Sequence, residues 1–300
     1  MSREMSMVPA AKPRTYYGHP VLKPPVWSPE VGVYLFTGGL AGGSAVLAAT
    51  ARAQGNDVLA RRALGTALAG VAMSPALLIK DLGVPRRFHH MLRVVKVTSP
   101  MNLGTWILSG VGAALGIAAA CDVLGIMPRV RRVAETGAAV LGPVLSTYTA
   151  VLLSDTAVPA WHGAQLELPF VFAASSAATA GAAATILTPQ SHARPACAVA
   201  LGGVVAEIAA AEAMKRRLGD AGDPYHGGES GRFGRVATAL GALGAGALVL
   251  GRRRRPLAVA GAAAVLAASF CERWSIFRAG TASASDPRYT VDLQRGRLTA

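Results

Sequence analysis

Long apolar segments dominate this chain of 300 residues. Each is close to the ~20 residues that an α-helix needs to cross the hydrocarbon core of a bilayer. Charged residues make up only 15% of the sequence, which argues against soluble domains. We therefore predict an all-α integral membrane protein with eight spans, at about 31–51, 63–80, 101–121, 135–154, 167–188, 195–214, 235–251 and 256–274.

Polar segments flank the spans at both ends. Residues 1–30 are rich in proline and contain Tyr16, Tyr17 and Trp27. Proline excludes a regular helix, and tyrosine and tryptophan favour the headgroup zone. We predict an N-terminal interfacial arm over 1–30 and a polar C-terminal tail over 275–300.

An internal correspondence suggests a duplicated architecture. Glu30 followed by VGVYLFTGGLAGGS aligns without gaps with Glu167 followed by LPFVFAASSAATAG, at an offset of 137 residues. Both segments open odd-numbered spans, which makes the repeat parallel. This pattern predicts two four-helix bundles, at 31–154 and 155–274.

Small residues recur at helical spacing inside the spans. Such residues let helices approach closely where no hydrophobic effect drives association. We interpret two overlapping GxxxG patterns, Gly38/Gly42 and Gly39/Gly43, as helix-packing sites, together with a third pattern at Gly112/Gly116.

The net charge of +14 does not indicate a nucleic-acid partner, because lysine and arginine cluster at the ends of the apolar segments. That distribution is typical of membrane orientation and headgroup contact. The side that holds both termini carries more basic residues in total, whereas the opposite side has three short, densely basic connectors. These two criteria conflict, so the residues alone leave the orientation open.

The histidines and cysteines argue against a haem or metal of the chain's own. All six histidines lie in connectors rather than at membrane depth, where axial haem ligands would be needed. The cysteines have no CxxC spacing, which an iron–sulfur or zinc site would favour. We therefore predict no metal ligands, and any electron transfer would use exchangeable or partner-bound groups.

The connector after the second span is long, basic and patterned: KDLGVPRRFHHMLRVVKVTSPMNLGTW, residues 80–106. Its length and charge predict a partner or a ligand. Lys80 and Asp81 at the helix end are either functional, as ionisable groups at such positions often are, or a snorkelling lysine beside a solvated aspartate. The predicted partner-facing cations are Arg86, Arg87, Arg93 and Lys96.

Two polar residues lie inside predicted spans. The Tyr148 hydroxyl requires a hydrogen-bond partner, which is either a ligand carbonyl or the backbone of a neighbouring helix. Glu207 is the most deeply placed carboxylate, and its position is compatible with a protonated structural group or with a proton relay.

Several of these segments resemble the NrfD/PsrC family, the membrane subunits of polysulfide-reductase-like molybdopterin oxidoreductases. The resemblance lies in PEVGVYLFTGGLAGGS, KDLGVPRRF, KVTSPMNLGTW, YTAVLLSDTAVPAW with LPFVFAASSAATAG, and AGTASASDPRYT in the tail. DLGxP followed by SPMxxGxW is the most specific part, and the segments keep the family's order over nearly the whole chain.

The resemblance implies an eight-helix subunit in the cytoplasmic membrane of the cell that binds menaquinone or another quinone and has no prosthetic group. It implies electron exchange with a ferredoxin-like [4Fe–4S] subunit that serves a molybdopterin subunit, on an extracytoplasmic face shared with the termini. Tyr148 is the best match to the family's quinone site, and His19, Glu30 and Asp81 are further candidates. Lys80 and Glu207 are candidates for proton transfer.

Two other functions remain open. A transporter or proton-conducting protein would suit two related halves and a buried Glu207. However, the polar residues gather at one face, and no span has the internal break of a midplane site. The other alternative is a passive membrane anchor that binds no quinone.

Overall fold

A computed structural model describes residues 21–291 of the chain. His19 and most of the predicted N-terminal arm fall outside this range, as does the end of the tail. Within residues 21–291 the secondary structure is helical and contains no strand. The α-helices are α1 Pro29–Ala53, α2 Asp57–Asp81, α3 Pro100–Leu124, α4 Pro128–Ser154, α5 Pro159–Gly163, α6 Leu168–Leu187, α7 Arg194–Leu218, α8 Asp223–His226, α9 Gly228–Leu250 and α10 Arg255–Ser285.

Eight of these helices are long and apolar enough to cross a membrane, which confirms the predicted number of spans. They are α1, α2, α3, α4, α6, α7, α9 and α10. Because each span reverses the direction of the chain, the ends of the helices form two opposite faces. The predicted all-α membrane fold is therefore correct, and α5 and α8 are short helices in connectors.

The last helix, α10, continues to Ser285, eleven residues beyond the predicted end of its span. Residues 275–300 were instead predicted to form a polar tail. Several of these polar groups instead find partners within the protein. Ser275 and Ser230 of α9 exchange hydrogen bonds, with Ser275 Oγ donating to the Ser230 carbonyl at 2.8 Å. Arg278 pairs with Glu229 at 2.6 Å.

The glycines of α1 lie at close helix contacts, as the first two GxxxG patterns predict. A Cβ added at Gly42 would overlap the Gly142 carbonyl oxygen of α4. A Cβ at Gly43 would overlap the Ser176 carbonyl oxygen of α6. Helix α1 therefore packs closely against both α4 and α6.

The third glycine pattern has a different role, and its interpretation as a packing site is wrong. Within residues 21–291, no atom lies within 4 Å of a Cβ built at Gly116. A Cβ at Gly112 would make only an ordinary contact, at 3.8 Å from Val71. Helix α3 lies farther from its neighbours along this stretch than α1 does.

Arg273 on α10 joins three helices. Its side chain is 1% exposed. The guanidinium donates to the carbonyl oxygens of Leu35 on α1, at 2.5 Å, and Phe172 on α6, at 2.9 Å. It also donates to the hydroxyls of Ser175 and Ser176 on α6, at 2.9 and 3.1 Å.

A buried ionic cluster closes one face of the first four helices. Arg52 at the end of α1 lies 2.8 Å from Glu135 of α4 and 3.0 Å from Asp122 of α3. Arg131 adds a contact of 2.7 Å to Asp122. Removing one partner of a buried ion pair costs several kcal/mol of folding free energy, because the other charge is left buried and unpaired. This cluster therefore fixes how α1, α3 and α4 meet.

Two ion pairs follow the predicted repeat. Glu30 at the start of α1 pairs with Lys80 at the end of α2, at 2.6 Å. Glu167, just before α6, pairs with Arg217 at the end of α7, at 2.6 Å. The acidic members are 137 positions apart, and so are the basic members. The shared pairing supports a duplicated helix pair, and the division into two bundles remains a prediction.

We expect Gly42→Ala to destabilise the protein, because the new methyl group would collide with the backbone of α4. Overpacking of this kind costs about 1–3 kcal/mol. The measurement is the midpoint of thermal unfolding in detergent. Gly116→Ala is the matched control, and it should leave the midpoint unchanged or slightly higher, since alanine favours a helix over glycine. Equal losses in both variants would contradict the assigned α1–α4 contact.

Candidate functional site

A cavity of about 330 Å³ lies among α1, α2, α3 and α4. It is near the face where α2 ends and α3 begins, and the connector between them covers its mouth. Its volume and largely apolar lining are typical of sites for small organic molecules. The apolar walls include Val31, Val71, Leu78, Leu108, Phe88 and Met91.

Glycines on α3 make room for this cavity. Gly104 faces Tyr148 of α4, and a Cβ at Gly104 would overlap the phenol ring. Gly112 lines the cavity farther along the helix. A larger residue at either position would fill the space or displace the tyrosine.

Tyr148 lines the cavity, as predicted for a site residue. Its hydroxyl donates to the carbonyl oxygen of Pro100 at the start of α3. The neighbouring backbone is thus the partner in this structure, which is one of the two alternatives that the sequence left open. The hydroxyl oxygen can still accept a hydrogen bond, and its proton would reach a ligand only by rotating away from Pro100.

Tyr34 on α1 is a second phenol in the same cavity, and the sequence analysis missed it. The residue is 2% exposed and lines the cavity. No hydrogen bond of its hydroxyl occurs within residues 21–291. The sequence did show a tyrosine inside an otherwise apolar span. Which neighbours this tyrosine faces, however, depends on how α1 packs against the other helices. Tyr34 therefore offers a donor that no other described group uses.

Asp81 also lines the cavity and is held by Ser28. The carboxylate accepts from the Ser28 backbone N–H at 2.9 Å and from its hydroxyl at 2.6 Å. These bonds connect the segment before α1 to the end of α2. Asp81 is consequently a fixed acceptor at the rim, beside Trp27 of the same segment.

Glu30 and Lys80 are brought together with each other but not with the cavity. They form the ion pair described above, and neither belongs to the lining residues. Lys80 is 72% exposed. The structure thus separates two predicted site residues, Glu30 and Lys80, from Asp81 and Tyr148, whereas His19 lies outside the described residues.

Helix α2 contributes an unusual backbone acceptor. Pro75 lies inside this helix and has no N–H, so the Val71 carbonyl lacks its usual donor four residues later. Both residues line the cavity. The Val71 carbonyl, without its usual donor, is a candidate acceptor in a cavity that two tyrosines also line.

The basic connector is folded over the mouth of the cavity by Asn102. The Asn102 amide donates to the Met91 carbonyl at 2.8 Å, and its oxygen accepts from the Lys96 N–H at 2.7 Å. Arg86, Arg87, Arg93 and Lys96 are all exposed. No carboxylate of residues 21–291 forms an ion pair with them. Their charge is directed to solvent.

A second polar site lies between α7 and α10. Glu207 is 4% exposed and accepts a hydrogen bond of 2.6 Å from the Ser269 hydroxyl. Its other oxygen, and one oxygen of the neighbouring Glu272, have no partner within the described residues. Both glutamates line a void of about 10 Å³, close to the space of one water.

The comparison with protein families decides the assignment of the chain. The family described as polysulphide reductase, NrfD, matches residues 22–200, which is more than half of the sequence. The chain belongs to the NrfD family. Membership makes it a membrane-embedded component of an oxidoreductase complex. A search of curated proteins found no match.

The NrfD match covers the whole candidate cavity, because its lining residues run from Trp27 to Leu152. It also covers the basic connector. Glu207, Glu272 and Arg273 lie beyond it. Within residues 21–291, no group of three or more histidine, cysteine, aspartate or glutamate residues is placed to hold a metal ion.

Proposed function

We propose that the cavity binds a quinone or quinol and that the chain exchanges electrons between the membrane quinone pool and an iron–sulfur partner. The observation that carries this proposal is the apolar cavity that the Tyr34 and Tyr148 side chains line. A neutral quinone ring needs apolar walls and a few polar groups that fix its oxygens. NrfD membership supports the same assignment, since it makes the chain part of an oxidoreductase complex.

The cavity residues suit the two oxygens of a quinone. The Tyr34 hydroxyl donates to one carbonyl oxygen, and Tyr148 supports the ring beside Gly104. When a quinol is oxidised, its two hydroxyl groups lose two protons and the ring loses two electrons. The Val71 carbonyl accepts from a quinol hydroxyl. The Asp81 carboxylate at the rim takes up the two protons one at a time and passes each to water, and the two electrons pass to the iron–sulfur partner.

The proton leaves the cavity near the Glu30–Lys80 pair. Asp81 is next to Lys80 in the chain, and Lys80 is largely exposed. Asp81 lies between the apolar cavity and the solvated Glu30–Lys80 pair. It can therefore pass protons from the quinol to water. The same groups serve in the opposite direction if the complex reduces quinone.

The connector over the cavity is the proposed docking site of a ferredoxin-like [4Fe–4S] subunit, which serves a molybdopterin subunit. Its exposed cations Arg86, Arg87, Arg93 and Lys96 are joined by exposed apolar residues. Val94, Val95 and Val97 are 65%, 61% and 73% exposed. Charges steer association, and apolar residues supply contact area.

In this arrangement the docking face is extracytoplasmic, as are both termini, and the membrane is the cytoplasmic membrane. The opposite face carries short connectors with Arg61, Arg129 and the Arg252–Arg255 run. Short basic connectors favour the cytoplasmic side. Because the docking connector covers the mouth of the cavity, the iron–sulfur subunit would lie directly above the bound quinone.

A proton-relay role of Glu207 is a further proposal. Its unpaired oxygen faces a small void that it shares with Glu272. A buried carboxylate with a free oxygen and room for one water has the parts of a relay step. If the chain conducted protons without any redox partner, this site would carry that alternative function.

Removing a phenolic hydroxyl from the cavity should weaken quinone binding. We expect Tyr34→Phe to lower the affinity for a quinone analogue by about threefold to tenfold, the effect of one hydrogen bond. Tyr148→Phe should lower it less, because the Tyr148 hydroxyl already donates to Pro100. Titration of the purified complex measures it. Tyr225→Phe is the matched control, because Tyr225 is equally buried but bonds to Ala160 in another part of the chain. Wild-type affinity in both cavity variants would contradict the proposed site.

Reversing charge on the connector should weaken docking of the partner. We expect Arg86→Glu with Arg87→Glu to lower the amount of co-purified iron–sulfur protein by about tenfold, because steering charges change association rates by at least that factor. The measurement is the iron content and mass spectrum of the tagged complex. Arg129→Glu with Arg132→Glu applies the same change at the opposite face and should retain the partner. Equal retention in both variants would exclude this connector as the docking site.

Glu207→Gln should stop proton movement through the second polar site, because an amide cannot exchange a proton as a carboxylate does. The measurement is the internal pH of proteoliposomes that contain the complex and a quinol. Glu212→Gln is the control, since Glu212 is half-exposed and pairs with Lys215. Unchanged pH traces in the Glu207 variant would show that this glutamate has only a structural role. If the wild type moves protons without quinol and the variant does not, the result would favour a proton-conducting protein.

A further inference from the structure

A second large cavity lies at the face opposite the quinone cavity. It occupies about 410 Å³ where α6 and α9 end and α7 and α10 begin. The quinone cavity instead lies where α2 ends and α3 begins. The two cavities are thus separated by the length of the helices, and no residue lines both of them.

Arginines dominate the polar lining of this cavity. Arg194, Arg252 and Arg253 line it, and all three are exposed. No carboxylate within residues 21–291 forms an ion pair with any of them. Elsewhere on the same face, Arg52, Arg61 and Arg131 do pair with carboxylates. The cavity thus concentrates positive charge that described acidic groups leave uncompensated.

Another arginine of the cavity is already engaged. Arg255 donates to the carbonyl oxygens of Thr185 and Ile186, at 2.6 and 2.5 Å. These carbonyls belong to the last turn of α6, where a cation is favoured by the helix dipole. Arg255 therefore fixes the end of α6 against α10, and Arg194, Arg252 and Arg253 remain available to a ligand.

The turn that carries Arg252 and Arg253 is held in place. The Gln190 amide donates to the Arg252 carbonyl at 3.0 Å. Gly251 packs so closely on α10 that an added Cβ would lie 2.5 Å from the Ala258 nitrogen. The backbone of this turn is thus fixed before any ligand binds, which lowers the cost of binding.

The remaining wall is apolar. Ala198 and Leu201 of α7 line the cavity together with Ala193, just before α7, and Ala258 of α10. The cavity therefore combines a cationic rim at the end of the spans with an apolar side that faces along them. A soluble anion needs only the rim, whereas a phospholipid matches both parts.

We propose that this cavity binds a phosphate-bearing anion, the headgroup of an anionic phospholipid. Arg194, Arg252 and Arg253 hold the phosphate, since guanidinium groups bind phosphate oxygens in pairs. The acyl chains lie along Leu201 and the small residues of α7. A lipid held there joins α7 to the turn between α9 and α10.

The test uses the full-length protein, stripped of lipid in detergent and titrated with phosphatidylglycerol under native mass spectrometry. Arg252→Gln with Arg253→Gln removes the rim charge without altering the backbone bond from Gln190. Arg129→Gln with Arg132→Gln is the matched control, because it removes the same charge from the same face outside the cavity. Ala198→Phe fills the apolar side and keeps every arginine.

We expect the Arg252/Arg253 variant to bind phosphatidylglycerol about thirtyfold more weakly, because each of the two basic residues that it lacks contributes about 1 kcal/mol near an anionic headgroup. Ala198→Phe should also weaken binding, and the control pair should bind as the wild type does. Phosphatidylcholine should bind weakly to all variants.

Three results would overturn the proposal. Wild-type binding by the Arg252/Arg253 variant would remove the assigned rim. An equal loss in the Arg129/Arg132 control would show that surface charge acts without the cavity. Displacement of phosphatidylglycerol by inorganic phosphate, with no effect of Ala198→Phe, would assign the site to free phosphate and not to a lipid.

Discussion

The burial of the Arg273 guanidinium between α1, α6 and α10 constrains the rest of the structure. A charge without water is costly, and no carboxylate within residues 21–291 lies in ion-pair distance of it. Its hydrogen-bond acceptors are the Leu35 and Phe172 carbonyls and two serine hydroxyls. Leu35 follows Tyr34 in α1. Holding its carbonyl fixes the rotation and depth of α1, and with them the position of Tyr34 in the wall of the cavity.

Close helix contacts and open space alternate around the proposed quinone site. Where α1 meets α4 and α6, glycines bring the backbones together. Along α3, Gly104 leaves room for the Tyr148 ring, and Gly112 borders the open cavity. Glycines thus bring helices together on α1 and leave space on α3. The connector after α2 covers the resulting cavity. A ligand site and a docking face consequently lie at the same end of the molecule.

The sequence predicted the number of spans well, because apolar length and charged connectors determine them directly. It predicted the end of α10 poorly, since Ser275 and Arg278 are satisfied by protein partners that hydropathy does not register. Tyr148 and Asp81, both predicted as site residues, line the same cavity, whereas Tyr34 and the carbonyl freed by Pro75 were missed. Their role depends on how each helix is rotated. Rotation is set by long-range contacts such as those of Arg273 and Gly42, which a single sequence does not display.

Photolabelling of the purified complex with an azido-quinone tests the central claim most directly, because it reports where the ring binds. The labelled peptides are identified by mass spectrometry, with unlabelled quinone as competitor. We expect competed label on α3 between Met101 and Ala113 and on the segment from Val71 to Leu82 at the end of α2, because both segments line the cavity. Competed label confined to α7, α9 or α10 would place the quinone elsewhere and contradict the account.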